Sequence, residues 1–221
     1  QAVKVISSGN PIALQVLYND LRKTLEAGEN AELSEALAMV EKAVEDASRV
    51  DLYSFPEDPD VDVAIFACGC FWGTQHQYDK EPGVLRTLAG YTGGPEENPT
   101  YADVRDHRTH HVEAVIVEFD PKLTDYTKLC QVFFEIHDPA QTDGVGPDLG
   151  PQCRCCLFWR TQEQKDKADA VITDLRSRGY EVNTLILPFE RFYIGEEYHQ
   201  KYYEKTGGEP YCHLRVRKFP K

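Results

Sequence analysis

A cysteine that could act as a nucleophile lies at position 70, inside the segment CGCFWG of residues 68–73. Residues 61–67 are mostly apolar and rich in β-branched side chains, a pattern that predicts a strand. The residues that follow, up to Pro82-Gly83, predict a helix that ends there. Cys70 is therefore expected near a helix N-terminus, where backbone N–H groups and the helix dipole stabilise a thiolate. The alternative for Cys70 is a buried, unreactive thiol at the end of a strand.

Three oxygen-bearing side chains could assist a reactive thiol. Glu113 lies in the apolar run of residues 111–119, which predicts a strand, so its carboxyl group is either at a sheet edge or buried with a raised pKa. A raised pKa is what a general acid requires. Tyr101 follows the glycine-rich segment 90–94, and its hydroxyl could bind a polar ligand, although packing of the ring beneath the loop is the commoner use. Asp148 lies in a loop rich in glycine and proline, where aspartate commonly forms turns.

A cysteine-rich tract raises the alternative of a metal site. Cys153, Cys155 and Cys156 could bind zinc together with Cys70 or His110. The tract lacks the two Cys-x-x-Cys pairs that are typical of such sites, and we expect no bound metal and no bound cofactor.

A last cysteine, Cys212, lies in a C-terminal tail that has no clear periodicity and is expected to be mobile. A tail cysteine can reach a reactive cysteine elsewhere and form a disulfide with it. The chain has seven cysteines, an odd number that does not suit a secreted disulfide scaffold. We therefore expect a reducing compartment, such as the cytoplasm, or an organelle if a targeting peptide has been removed.

The composition excludes several functional classes. The 24 basic and 37 acidic residues give a formal net charge of −13, which argues against nucleic acid as a partner. No apolar run approaches the length that spans a bilayer, so no membrane partner is expected.

The elements that must position these residues fall into three segments. Residues 1–50 carry leucines and valines at helical spacing on either side of residues 28–30, which predicts a helical hairpin that could contact an assembly or pack on the main domain. Residues 51–60 contain two prolines and are predicted to be a linker. Residues 61–221 alternate strand-like and helix-like segments, which indicates an α/β or α+β domain with a mixed sheet.

Taken in order, several motifs of residues 61–213 resemble the type A peptide methionine sulfoxide reductases. Each motif alone is weakly specific, but the ordered set is specific. The motifs are GCFWG at 69–73, GYTGG at 90–94, NPTY at 98–101, His111 with Glu113, HDP at 137–139, Asp148 and YHQ at 198–200. The resemblance implies an α+β fold, a two-layer sandwich with a ferredoxin-like mixed sheet, here preceded by the helical hairpin.

The resemblance also implies a role for each matching residue. Cys70 would attack the sulfoxide sulfur, Glu113 would protonate the sulfoxide oxygen, and Tyr101 would hydrogen-bond to it. Asp148 would order water, and Cys212 would resolve the sulfenic acid of Cys70. The substrate-binding residues would be Phe71 and Trp72, which would hold the methyl group, and His111, which by its residue type alone could equally be a core histidine.

Some positions depart from the family's pattern. Cys153 stands where the family usually has a second tyrosine, and its loss would remove one hydrogen bond, worth about 0.5–1.5 kcal/mol. The family usually has glycine at the position of His110, often serine at that of Cys155, and commonly glutamate at that of Gln75. We hypothesise that Cys153 is an alternative resolving thiol.

These observations favour an enzyme that reduces methionine S-sulfoxide, free or in peptides and proteins, and that thioredoxin, or dithiothreitol in vitro, recycles. The alternative is a weakly active or inactive reductase-like subunit, held in a larger assembly through residues 1–50.

Overall fold

The computed structural model describes residues 11–26, 31–47 and 51–220. The chain separates into two compact units, one drawn from residues 1–50 with residues 196–198, the other from residues 51–195 and 199–221. In the first unit, α1 (Pro11–Glu26) packs against α2 (Ala31–Ala47). The predicted helix pair is thereby confirmed; the connection at 28–30 and the predicted helix end at 48–50 lie outside the described residues.

The second unit contains a seven-stranded mixed sheet. Its strands in chain order are β1 (Asp51–Leu52), β2 (Asp62–Ala67), β3 (Val84–Thr92), β4 (Val112–Phe119), β7 (Cys156–Trp159), β8 (Leu185–Pro188) and β9 (Phe192–Ile194). A separate hairpin contains β5 (Gly144–Val145) and β6 (Asp148–Leu149). The order across the sheet is β1-β9-β3-β4-β2-β7-β8, and only the pair β7 and β8 is parallel. The expected α+β fold with a mixed sheet is confirmed.

The helices of this unit connect the strands and carry much of the site. They are α3 (Phe71–Tyr78), α4 (Tyr101–Arg105), α5 (Tyr126–Glu135), α6 (Gln162–Ser177) and α7 (Tyr202–Thr206). The side-chain oxygens of Asp125 and Thr161 each accept a hydrogen bond from a backbone N–H in the first turn of α5 and α6, respectively. This explains where these two helices begin. Among residues 11–26, 31–47 and 51–220, no helix combines the length and apolarity needed to cross a bilayer.

The packing of β4 explains how an acidic residue comes to be buried. Phe66 of β2 stacks on Tyr78 of α3 at 4.9 Å and on Phe133 of α5 at 5.4 Å, so these helices cover that face of the sheet. Phe66 pairs with Val115 of β4, and side chains alternate along a strand, so Glu113 points to the same helical face. The opposite face carries a second cluster of buried apolar side chains, which includes Ile65, Ile116, Phe158 and Phe192.

Two segments differ from their predicted extent. Residues 51–53, at the start of the predicted linker, join the sheet: Leu52 pairs with Tyr193, and the ring of Tyr53 is buried in the core. Strand β3 continues through Gly90 to Thr92, into the segment predicted as a loop. Glycine is needed there because β9 approaches closely, and a Cβ at Gly90 would lie 2.1 Å from the carbonyl oxygen of Tyr193.

The C-terminal tail differs from the expectation of a mobile segment. His213 is fully buried, and the side chain of Gln77 donates a hydrogen bond to its carbonyl at 2.8 Å. The backbone N–H of Val216 donates to the carbonyl of Glu135 at 2.7 Å, and the Arg215 guanidinium binds the Glu135 carboxylate at 2.8 Å. Because these bonds are made by single residues, they leave no periodic signal in the sequence.

Candidate active site

Cys70 caps the N-terminus of α3, at the turn that follows β2. The backbone N–H groups of Trp72 and Gly73 and the thiol of Cys212 lie near its sulfur and favour the thiolate. Chiefly because of the Cys212 contact, the pKa of Cys70 is lowered, although burial and the charge of Asp148 act in the opposite direction. Cys70 is therefore placed to react as a thiolate.

Glu113 supplies the opposite kind of group, a carboxylic acid that keeps its proton. It is only 7% exposed, and Oε2 accepts a hydrogen bond from the backbone N–H of Phe71 at 3.1 Å. Burial raises its pKa to about 8, and the negative charge of Cys70 contributes in the same direction. A thiol with a lowered pKa and a carboxyl group that keeps its proton at neutral pH therefore share this site.

Both groups line one cavity of about 340 Å³. The cavity brings together seven of the predicted site residues: Cys70, Phe71, Trp72, Tyr101, Glu113, Asp148 and Cys153. Arg105, Gln152 and Tyr211 also contribute to its walls, and none of these three was predicted.

The aromatic residues give the cavity an apolar wall. Phe71 is 1% exposed, and its ring stacks with that of Tyr101 at 6.3 Å. The indole of Trp72 stacks on Tyr202 at 3.8 Å, and its Nε1–H donates to Nδ1 of His199 at 2.9 Å. These contacts hold the indole in one orientation, and an apolar wall of this kind suits a methyl group.

Tyr101 is the first residue of α4, and a capping box fixes its position. The Thr100 hydroxyl accepts from the backbone N–H of Asp103 at 3.3 Å, and the Asp103 carboxylate accepts from the backbone N–H of Thr100 at 3.0 Å. Burial, with the charge of Glu113 adding to it, raises the pKa of Tyr101 to about 12. Its hydroxyl therefore stays protonated and can donate a hydrogen bond to a ligand in the cavity.

Asp148 lies on β6 and lines the cavity. Its Oδ1 accepts a hydrogen bond from the Tyr211 hydroxyl at 2.8 Å. Its Oδ2 is buried and has no hydrogen-bond partner among the described residues. A buried carboxylate oxygen in this position can bind water or a donor of the substrate.

Cys212 and His213 of the docked tail complete the site. The Cys212 thiol contacts Cys70, and its sulfur lies 3.0 Å from Nδ1 of His213. Nε2 of His213 lies against the carbonyl oxygen of Cys68, which can only accept, so Nε2 carries the hydrogen. Nδ1 is therefore unprotonated and can accept a hydrogen bond from the Cys212 thiol, while burial lowers the pKa of His213 to about 4. Sequence reasoning gave His213 no role, although its adjacency to a cysteine is a signal for such a pair.

His111, His110 and Cys156 do not line the cavity. The imidazole of His111 accepts from the backbone N–H of Gly94 at 3.2 Å and donates to the carbonyl of Glu96 at 2.8 Å, so it fixes the loop before β4 and does not line the cavity. Cys156 belongs to the apolar core, and His110 is exposed beside Glu96. The alternative of a metal site that combines all three cysteines of the tract with Cys70 or His110 is therefore not formed among the described residues.

A thiolate beside a protonated carboxyl group, in a cavity with an apolar wall and a second thiol within reach, defines a thiol-based oxidoreductase. The family model for peptide methionine sulfoxide reductase matches residues 62–221, and the chain belongs to this family. The resemblance seen in the sequence is thereby confirmed, together with the assignment of the chain as an oxidoreductase.

Known relatives cover the same region. The chain is 42% identical over 160 residues to the peptide methionine sulfoxide reductase MsrA of Methanosarcina acetivorans, a match that spans 71% of this chain and 85% of the relative. It is 40% identical over 166 residues to MsrA of Sulfolobus acidocaldarius, spanning 73% and 94%. The crystal structure of reduced Mxr1 from Saccharomyces cerevisiae superposes with a TM-score of 0.68 at 31% identity, covering 74% of this chain and 96% of that one.

Proposed function

We propose that this chain reduces the S epimer of methionine sulfoxide, free or peptide-bound, through a sulfenic acid on Cys70. The observation that carries the proposal is the pairing of Cys70 with a protonated Glu113 in one cavity. A sulfoxide oxygen is a poor leaving group until it is protonated, so a thiolate beside a neutral acid suits this chemistry.

In the first step the Cys70 thiolate attacks the sulfoxide sulfur while Glu113 transfers its proton to the oxygen. Tyr101 donates a hydrogen bond to the same oxygen, and Phe71 and Trp72 contact the methyl group. In the adduct a bond joins the two sulfurs. The bond between the methionine sulfur and the oxygen then breaks, the hydroxyl passes to the Cys70 sulfur as the bond between the two sulfurs breaks, and methionine leaves. Cys70 is left as sulfenic acid, so the substrate gains the two electrons that Cys70 loses.

In the second step Cys212 attacks the sulfur of Cys70, water leaves, and a disulfide forms. The thiolate charge of Cys70, which raises the pKa of Cys212, has by then disappeared. Asp148 holds the tail through Tyr211 and offers Oδ2 to order water near the reacting sulfurs.

The disulfide is then reduced by a dithiol protein of the thioredoxin class, or by dithiothreitol in vitro. The yeast protein Mxr1 has been crystallised in complex with Trx2. That complex supports the same class of reductant for the present chain.

The test of the proposed function uses a peptide with one methionine sulfoxide as a mixture of both epimers. With dithiothreitol in excess, we expect the S epimer to be consumed and the R epimer to remain, as measured by chromatography. Absence of product, as the alternative of an inactive assembly subunit requires, would contradict the proposal, and so would equal consumption of both epimers.

His213→Gln is expected to slow formation of the Cys70–Cys212 disulfide, because glutamine can still donate to Cys68 but cannot act as a base towards Cys212. Burial lowers the pKa of His213 to about 4, so the expected effect is about 10-fold, below the usual range for a general base. Rapid quenching and thiol alkylation after one turnover measure this rate, while methionine release in the same turnover should stay unchanged. The gap should narrow at high pH, where Cys212 ionises unaided, and His110→Gln is the control. An equal loss of methionine release would mean that His213 acts only through the fold.

The hypothesis that Cys153 resolves Cys70 stays a prediction. Cys153 lines the cavity, but burial raises its pKa, and the charges of Glu113 and Asp148 add to this effect. A thiol that keeps its proton attacks slowly. We therefore expect the Cys70–Cys212 link to dominate, and a Cys70–Cys153 link to form only in a Cys212→Ser variant.

A further inference from the structure

Outside the proposed active site, a cluster of three buried side chains has the residue types that bind metal ions. The proposed reaction does not use it. Cys68, His137 and Cys155 are 1%, 6% and 7% exposed, and their sulfur and nitrogen atoms all lie within 4.8 Å of one another. Cys68 follows β2 and Cys155 precedes β7, and the pairing of Ala67 with Cys156 makes them the next opposed positions in that ladder.

The imidazole of His137 presents the nitrogen that a metal ion requires. Its Nδ1 lies 2.7 Å from the carbonyl oxygen of Phe133, which can only accept, so Nδ1 carries the hydrogen. In the neutral ring Nε2 is then unprotonated and available to a metal ion. A hydrogen bond from the other ring nitrogen to a backbone carbonyl is the usual support of a metal-bound histidine.

We propose that Cys68, His137 and Cys155 form a zinc site. Sulfur and imidazole ligands without a carboxylate select zinc or copper rather than magnesium or calcium. Two thiolates and a neutral imidazole around Zn²⁺ give a site without net charge, which suits a buried position better than Cu⁺, which would leave one negative charge uncompensated. Binding displaces the two thiol protons to solvent, and no electron is transferred.

The geometry suits tetrahedral coordination. Zinc–sulfur and zinc–nitrogen bonds of about 2.3 and 2.0 Å place neighbouring ligand atoms of a tetrahedral site about 3.5–3.8 Å apart. These separations fall inside the 4.8 Å within which the three ligand atoms lie. The three side chains leave one coordination position for a water molecule. The Thr184 hydroxyl lies 3.4 Å from His137 Nε2 and would give up this contact when the ion binds. His137 of this cluster also lines a cavity of about 460 Å³.

Zinc would fix the support of the nucleophile. Cys68 lies two residues before Cys70, and its carbonyl accepts hydrogen bonds from Thr74 at 2.9 Å and from His213. The ion would join the end of β2, the start of β7 and the segment after α5 beneath this turn. Because the resembling family often has serine at the position of Cys155, the site is expected to be a property of this chain.

The test measures zinc in the full chain, purified without chelator under a phosphine reductant. Elemental mass spectrometry of the purified chain should find about one zinc ion per chain. In competition with a chromophoric chelator, Cys155→Ser should bind zinc at least about 100-fold more weakly than the native chain. Cys130→Ser, which removes an equally buried thiol outside the cluster, should keep the zinc, and so should the double variant Cys70→Ser/Cys212→Ser.

Cobalt exchange into the unmodified chain provides a reading that does not depend on the folding of a variant. A thiolate-to-cobalt charge-transfer band and the strong visible bands of tetrahedral cobalt are expected. The proposal is overturned if the chain holds no zinc and shows no such bands, if zinc persists in Cys155→Ser, if the Cys70→Ser/Cys212→Ser variant alone loses it, or if Cys68 and Cys155 are found joined as a disulfide under these conditions.

Discussion

Cys70→Ser is expected to lower the rate of methionine formation by at least about 10⁴-fold, because the chemistry begins with a thiolate and a serine hydroxyl does not ionise at neutral pH. The structure places that thiolate at the N-terminus of α3, where the N–H groups of Trp72 and Gly73 reach it. Product is measured by chromatography after incubation with a methionine sulfoxide peptide and dithiothreitol.

The matched control is Cys130→Ser, which makes the same change at a buried cysteine of α5, outside the cavity. Its activity per folded molecule should equal that of the native chain. Retention of activity in Cys70→Ser would show that another of the seven thiols is the nucleophile.

Glu113→Gln is expected to lower kcat/KM by about 10²–10⁴-fold, the range for loss of a general acid. Glutamine keeps the size of the side chain and the acceptor for the Phe71 N–H, but it has no proton to transfer. The control is Glu118→Gln on the same strand: Glu118 is also 7% exposed, but it binds Arg86 and Tyr53 away from the cavity. That control should lose stability rather than activity per folded molecule, and a comparable loss of kcat/KM in the control would contradict the role of Glu113.

The pH profile gives the same prediction a second reading. Because the proposed reaction requires a protonated Glu113, whose pKa is raised to about 8, kcat/KM of the native chain should fall as pH rises through about 8. The residual activity of Glu113→Gln should lack this descent.

The raised pKa also has a consequence for stability. The folded state holds this proton more tightly than the unfolded state, whose carboxyl group has the ordinary pKa near 4.5. The contribution of the Glu113 proton to the free energy of unfolding should therefore be fully present below pH 4.5. It should be lost as pH rises towards 8. Denaturant titrations at several pH values measure this slope, which Glu113→Gln should reduce.

Sequence reasoning placed the parts of the site that local patterns fix. The change from β-branched to aromatic residues located Cys70 at a strand-to-helix turn, and the apolar run around Glu113 predicted a buried strand. In both cases the signal lies within a few residues, because burial of a strand and the start of a helix are encoded locally.

The contacts that could not be predicted join residues distant in the chain. The bond between His213 and Cys68 spans 145 positions and depends on one imidazole docking into the fold. The same holds for His137, which reaches Cys68 and Cys155 only when α5 packs on the sheet. His111 illustrates the opposite case, since its position beside Glu113 favoured the site while its hydrogen bonds hold a loop.

The central claim is that Cys70 takes the sulfoxide oxygen and Cys212 then removes it. The most direct measurement is a single turnover: the fully reduced chain is mixed with excess methionine sulfoxide peptide in the absence of any reductant, and is quenched, alkylated and digested. Mass spectrometry should find about one reduced methionine per chain and one new disulfide, between Cys70 and Cys212. Cys68, Cys130 and Cys155 should be recovered in alkylated form, which shows that they stayed free thiols. The claim would be contradicted if methionine forms while Cys70 is recovered as a free, alkylated thiol, or if the new disulfide does not include Cys70.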